Sequence, residues 1–168
     1  PYPSASSNVH HEVELVVALR SGGKDIPPGA ASQRIYGYAV GIDMTRRDLQ
    51  AEAKRAGRPW DVAKAFDHSA PVREITPAAE IGILRRAGIS LSVNGVQRQN
   101  SNISEMIWSV PEIISELSNL FELHAGDLLG LLEEDVRDAG RVRRRVEAAA
   151  TLRGELLQEG VGTASCAN

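Results

Sequence analysis

The residue patterns predict a chain that mixes β-strands and helices. Three observations carry that expectation. Apolar, β-branched runs punctuated by glycine or proline recur at residues 11–19, 35–43 and 89–93. The last alternates with period two into Asn94-Gly95, the dipeptide that favours a two-residue hairpin. Helical spacing follows capping residues near 45 and 109, and recurs in the tail from Leu128.

In chain order, residues 1–8 are rich in Pro and Ser and predict an extended lead-in. Residues 11–19 (HEVELVVAL) predict a strand stopped by Ser21-Gly22-Gly23. That Gly-Gly predicts a hairpin, with Lys24-Asp25-Ile26 returning until Pro27-Pro28-Gly29 breaks the run. Residues 35–43 predict a second strand whose glycines suggest bulges or close backbone approach. A helix follows, with Thr45 as N-cap, Asp48 completing a capping-box pattern and Gly57 as the stop. Residues 58–60 turn the chain, and 70–77 read as loop or edge strand. Residues 89–93 and 96–99 form the two arms of the Asn94-Gly95 hairpin. Ser109 or Pro111 opens a helix through Leu120, with Ile113, Ile114, Leu117, Leu120 and Phe121 at helical spacing. From Leu128 the composition turns to Ala, Glu, Arg and Leu. Acidic residues precede basic ones there, which predicts a helical tail interrupted near Gly140 and Gly154, then a loose 160–168.

Composition bounds the function. A length of 168 residues suits one domain with a real core. The 42% hydrophobic and 24% charged fractions exclude wholesale disorder. No apolar run approaches the ~18 residues of a membrane span, so no membrane partner is expected. Lys+Arg 19 against Asp+Glu 22 leaves a net charge of −3, which argues against nucleic acid as the partner. The single Cys166 excludes an internal disulfide and fits a reducing, cytoplasmic setting. The start at Pro1, without Met or a signal pattern, predicts a fragment or processed product that is not secreted.

The chemistry gathers around carboxylates. On a strand, Glu12 and Glu14 share a face, where two like charges repel unless a cation neutralises them. The pair reads either as the polar side of an edge strand or as part of a metal site. Asp43 closes the second strand, and with Thr45 and Asp48 assigned to the helix cap it has no evident structural task. Three converging carboxylates would suit a hard cation, Mg²⁺ or Mn²⁺, and no zinc spacing occurs. Lys64 lies among small and apolar residues. It is either half-buried and in need of a carboxylate partner, or a surface lysine with its stem laid flat. Arg47 and Gln50, three apart, face the same side of their helix. His10 and His11 point opposite ways, so at most one can reach the Glu pair. His68 and His124 have no assignable partner, and neither a phosphate-cradling loop nor a Ser-His-Asp pattern is present.

Segments 11–19 (HEVELVVAL), 37–50 (GYAVGIDMTRRDLQ), 63–72 (AKAFDHSAPV), 93–99 (VNGVQRQ) and 106–127 resemble, in order and spacing, the fumarylacetoacetate hydrolase family. The resemblance implies an α+β, mainly β, fold: a mixed β-sandwich or roll with short helices. It divides the chain into a partial catalytic domain at 1–127 and an atypical helical tail at 128–168. By resemblance, Glu12, Glu14 and Asp43 would ligate Mg²⁺ or Mn²⁺, Lys64 would be the catalytic lysine, and Arg47 and Gln50 would contact the substrate. The implied activity is hydrolysis of a C–C bond in a fumarylpyruvate-like acylpyruvate during aromatic catabolism, by a homodimer. Two other readings stand beside it. One is decarboxylation or hydration of 2-oxo acids on the same site. The other is a catalytically incomplete metal-binding fragment acting through a partner. The family carries an upstream segment with a water-activating His and Glu, and continues from G-D-L into T-G-T-P. Here Gly126-Asp127-Leu128-Leu129 runs into Gly130-Leu131-Leu132.

Overall fold

The computed structural model describes residues 2–132, 146–149 and 163–165, with Leu132 and the last two groups described by backbone alone. β1 (Val9–Leu19) pairs antiparallel along its whole length with β2 (Ile35–Arg46), in a register that sets Glu12 opposite Asp43 and Glu14 opposite Gly41. The hairpin expected at Gly22-Gly23 is absent from the described residues. Gly23 pairs instead with Leu123, and the chain reaches β2 through the short helix α1 (Pro28–Ala31) and a 3-10 turn. Pro27-Pro28 cannot donate ladder hydrogen bonds, so the return strand has no room to form.

β2 runs further than expected, through Thr45 to Arg46, and α2 (Arg47–Arg55) begins directly after it. Thr45 is therefore a buried strand residue opposite His10 and not an N-cap. Asp48 also leaves its expected role. Its carboxylate accepts hydrogen bonds from the Ser6 hydroxyl at 2.7 Å and the Ser7 amide at 2.9 Å, tying the lead-in to α2. Ladder pairing with β1 outcompetes the local capping signal.

After α3 (Asp61–Lys64) the chain turns back along β2. Ser69 and Pro71 carbonyls accept from the amides of Met44 and Ile42, and the Arg73 amide donates to Val40. The expected edge segment follows as β3 (Thr76–Pro77), then α4 (Ala78–Ile81). β4 (Gly88–Val93) and β5 (Val96–Asn102) form the predicted hairpin, with Asn94 at φ 52° and Gly95 at φ 77° in the two turn positions. α5 (Val110–Leu120) opens as expected on Ser109, whose amide and hydroxyl both donate to Glu112 at 2.7 Å.

The expected helical tail is corrected where it is described. Leu128–Leu132 is a strand, β6, antiparallel to β1, so the first sheet continues past Asp127. β7 (Val146–Ala149) and β8 (Thr163–Ser165) are strands as well. Leucines at every second place suit a sheet face as well as a helix, and the free edge of β1 offers the hydrogen bonds that decide for the strand. Residues 133–145, 150–162 and 166–168 lie outside the described residues.

The two four-stranded sheets have orders β3-β2-β1-β6 and β5-β4-β7-β8. Together with α5 they enclose one core. Val13, Leu15, Val17 and Leu19 of β1 join Tyr38, Val40 and Ile42 of β2, Ile89, Leu91 and Val93 of β4, Ile114 of α5 and Leu131 of β6. Fold class is thus α+β, mainly strands with short helices, as the resemblance implies. Among the described residues no helix is long and apolar enough to cross a membrane.

Buried polar groups lock α5 to the 20–34 connection. The wholly buried Ser118 hydroxyl accepts from the Ile26 amide at 2.8 Å and donates to the Ser115 carbonyl at 2.7 Å. Ser118→Ala leaves the Ile26 amide unsatisfied and is expected to cost about 1–3 kcal/mol, measured by urea unfolding. A loss below about 0.5 kcal/mol, the size of a neutral surface change, would contradict this assignment.

Candidate functional site

The period of β1 builds the site. Odd positions from Val13 to Leu19 fill the core, so His10, Glu12, Glu14 and Val16 face the other way. The antiparallel register places Thr45, Asp43 and Gly41 of β2 opposite His10, Glu12 and Glu14 on that same face. α2 and α3 lie close to this pair of strands and bring three more side chains to it.

Glu12 is the centre. It is only 4% exposed, and its two oxygens are claimed by different cations. Arg47 Nη2 donates to Oε1, and Lys64 Nζ donates to Oε2 at 2.6 Å. The same ammonium donates to Asp43 Oδ2 at 2.6 Å, so Lys64 bridges carboxylates on both strands. Lys64 is thereby the half-buried lysine with carboxylate partners and not a free surface cation. Arg47 also donates through Nη1 to Gln50 Oε1 at 2.7 Å, as their spacing of three allows, and its amide donates to the Asn8 carbonyl. Gln50 is itself buried.

Five of the six expected site residues are therefore joined by hydrogen bonds. The sixth, Glu14, lies on the same face, but its carboxylate makes no hydrogen bond among the described residues. Its carboxylate is turned over β6, where a Cβ built on Gly130 would fall 2.2 Å from Oε2. In this arrangement no three His, Cys, Asp or Glu side chains among the described residues stand close enough to hold one ion. His10 shares the face of Glu12 and its Nε2 bonds to the Asn8 side chain, whereas His11 is buried on the opposite face. His68 and His124 are exposed.

The charges are unevenly balanced. Burial raises the Glu14 carboxyl to about 7, and the charge of Asp43 adds to it, with Lys64 offsetting part. Burial also lifts Asp43 above the ordinary carboxylate value, although Lys64 pulls it down. Burial works against the Lys64 charge, but its hydrogen bonds to Asp43 and Glu12 prevail and hold it above the ordinary lysine value. That both members of one ion pair rise reflects two buried carboxylates sharing a single ammonium. His10 is lowered by burial and then by Arg47, so near neutral pH it adds no cation.

Three carboxyls face two cations, Lys64 and Arg47, and the unmatched one is Glu14, which burial keeps protonated up to about pH 7. This donor set, all carboxyl oxygen with more carboxyls than cations, fits a hard divalent cation better than a thiophilic one. The sequence reading missed three neighbours. Ser6 and Ser7 anchor α2 through Asp48, with no sequence signal to announce it. Gly130 clears the space for Glu14, and its only mark is a glycine within an apolar run.

The family described as fumarylacetoacetate (FAA) hydrolase C-terminal matches residues 1–131. A fumarylpyruvate hydrolase of Ralstonia sp is 44% identical over 128 residues, covering 76% of this chain and 66% of that protein. The mitochondrial oxaloacetate tautomerase of Mus musculus is 40% identical over 152 residues, 90% of this chain and 68% of that protein. A crystal structure of fumarylpyruvate hydrolase from Pseudomonas aeruginosa, in complex with Mn²⁺ and pyruvate, superposes with a TM-score of 0.83 at 48% identity. That match covers 89% of this chain and 64% of that one. The chain spans about two thirds of the length of these relatives.

The raised Glu14 carboxyl has a measurable consequence. Between pH 4.5 and about 7 the folded chain holds a proton that the unfolded chain has released, so stability falls as pH rises through this window. Glu14→Gln removes the ionisation. Without added metal the variant should match the parent near pH 4 and exceed it by up to about 3 kcal/mol at pH 8. Denaturant titrations at both pH values check this, and parallel pH profiles for the two proteins would refute it.

Proposed function

The chain belongs to the fumarylacetoacetate hydrolase family, and on that premise we propose that it serves as a divalent-metal-dependent hydrolase cleaving a C–C bond in a fumarylpyruvate-like acylpyruvate. The observation that carries this reading is the Lys64 ammonium 2.6 Å from both Glu12 and Asp43, on a strand face that also bears Glu14. The 44% identity to a fumarylpyruvate hydrolase supports the substrate class. The Mn²⁺ and pyruvate bound by the Pseudomonas aeruginosa enzyme support the metal and the product. The proposal extends to a cytoplasmic homodimer acting in aromatic catabolism.

Glu12, Glu14 and Asp43 would hold Mg²⁺ or Mn²⁺. When bound, such an ion supplies Lewis-acid stabilisation of the negative charge that a 1,3-dicarbonyl develops as its C–C bond breaks. The protein's own groups do the rest. Lys64 stays protonated and presents its ammonium to an oxygen that gains charge, while keeping Glu12 and Asp43 in place. Arg47, fixed by Glu12 and Gln50, has further N–H groups for a substrate carboxylate, and its planar fork sets the orientation. Gln50 holds that guanidinium and borders the same substrate space. Overall, water adds to the acyl carbonyl and the substrate divides into a carboxylic acid and pyruvate.

A second reading has its own support in the 40% identity to an oxaloacetate tautomerase across 90% of this chain. Keto–enol exchange of a 2-oxo diacid needs proton transfer but no bond to water, and the same cations can hold the enolate charge.

Saturating Mn²⁺ at about a hundred times its Kd should stabilise the chain by about 2.7 kcal/mol, seen as a rise in Tm, and Asp43→Asn should abolish that rise. An equal rise in the variant would remove Asp43 from the ligand set. In the presence of Mn²⁺, loss of fumarylpyruvate absorbance with release of pyruvate supports hydrolysis. Enol–keto exchange of oxaloacetate without fumarylpyruvate turnover favours the tautomerase. Tight Mn²⁺ binding with neither reaction identifies a metal-binding fragment.

A further inference from the structure

Glu14 is the one carboxylate of the three that stands outside the hydrogen-bonded group, and the backbone explains why. β1 lies between β2 and β6, with Glu14 opposite Gly41 on one side and Leu132 on the other. Asp43 is on the β2 side. The Glu14 carboxylate lies on the β6 side, in the space that Gly130 leaves empty: a Cβ there would come within 2.2 Å of Oε2 and 3.3 Å of the carboxyl carbon. The atoms it would meet are the far end of a flexible side chain, so the carboxylate would turn while the strand stayed in place. On the β2 side, Gly41 offers no side chain to bar it. A Cβ on Gly41 would meet the Val16 methyl at 2.7 Å and the Pro71 carbonyl oxygen at 3.6 Å.

We propose that Gly130 is a positioning residue for Glu14: its missing side chain lets the carboxylate rest over β6, apart from Glu12 and Asp43, and any Cβ at position 130 drives it back toward Asp43 and tightens divalent-cation binding. The inference rests on the carboxylate ligand set proposed above. Gly130 touches neither ion nor substrate and acts only through the seat it leaves to Glu14. The same geometry accounts for the absence, among the described residues, of a ready three-carboxylate group. Two carboxylates are held by Lys64, and the third has been given room to leave.

Isothermal titration of the purified chain with Mn²⁺ tests this without any activity measurement. Gly130→Ala should lower Kd by about tenfold, the scale on which residues behind a ligand tune metal affinity. Gly130→Ser should do the same, guarding against failure of either variant to fold. In a Glu14→Gln background the alanine should have no effect, which separates positioning of Glu14 from general stiffening of β6. Unchanged or weaker binding in both Gly130 variants, with the parent binding normally, overturns this inference alone. So does an equal gain in the Glu14→Gln background. A parent chain that binds no Mn²⁺ overturns the ligand set and this inference with it.

Discussion

Burying the Glu12 carboxylate on the reverse of the central core strand is the constraint from which the remaining structure follows. β1 has no spare face, since Val13, Leu15 and Val17 are committed to the core and the next residue over carries a charge that is 4% exposed. An unpaired carboxylate at that depth would be prohibitively costly, so each of its oxygens must meet a cation. Arg47 and Lys64 supply them, from α2 and α3. The short α3 is brought to the right place because the chain after it is stitched to β2 at Met44, Ile42 and Val40. α2 is brought there because Asp48 and the Arg47 amide are tied to residues 6–8. Local fold and site electrostatics are one problem with one solution.

That solution neutralises Glu12 but not its neighbours. Lys64 divides a single ammonium between two strands, and Glu14 is left with a carboxyl near 7. A protein concerned only with stability would put an uncharged residue at Glu14, because nothing in the core requires the charge. On the function proposed above, this face, with an unpaired carboxyl beside a fixed ammonium and a fixed guanidinium, would receive a dication and an anionic, oxygen-rich substrate. The Pseudomonas aeruginosa fumarylpyruvate hydrolase is crystallised with such a pair, Mn²⁺ and pyruvate.

The glycines of the site strands have a related meaning. In a sheet they weaken packing and give up ladder rigidity, so their presence calls for a reason. Gly41 is held against the Val16 methyl, and Gly130 against the Glu14 carboxylate. Both flank β1 at the level of the acidic face, one on each side, and keep that face low where the side chains of three strands would otherwise crowd it.

Much was legible in the sequence because it depends on short-range periodicity. Alternation along β1 puts Glu12 and Glu14 on one face in any strand, Asn94-Gly95 closes a hairpin in nearly any context, and Ser109 with Glu112 caps α5 locally. The spacing of Arg47 and Gln50 requires them to share a helix face. What tertiary structure alone decided is whatever turns on competition between partners. Thr45 and Asp48 carry a good capping signal and lose it, one to the ladder with β1 and the other to Ser6 and Ser7. The Gly22-Gly23 segment meets Leu123 instead of folding back. Leu128–Leu132 reads equally well as helix or strand until the free edge of β1 claims it. Lys64 is an ambiguous lysine until two carboxylates from different strands arrive at one point. Local spacing chooses which side chains can share a face. Which distant group comes to meet them depends on register and on which edges remain open, and those are properties of the assembled sheet.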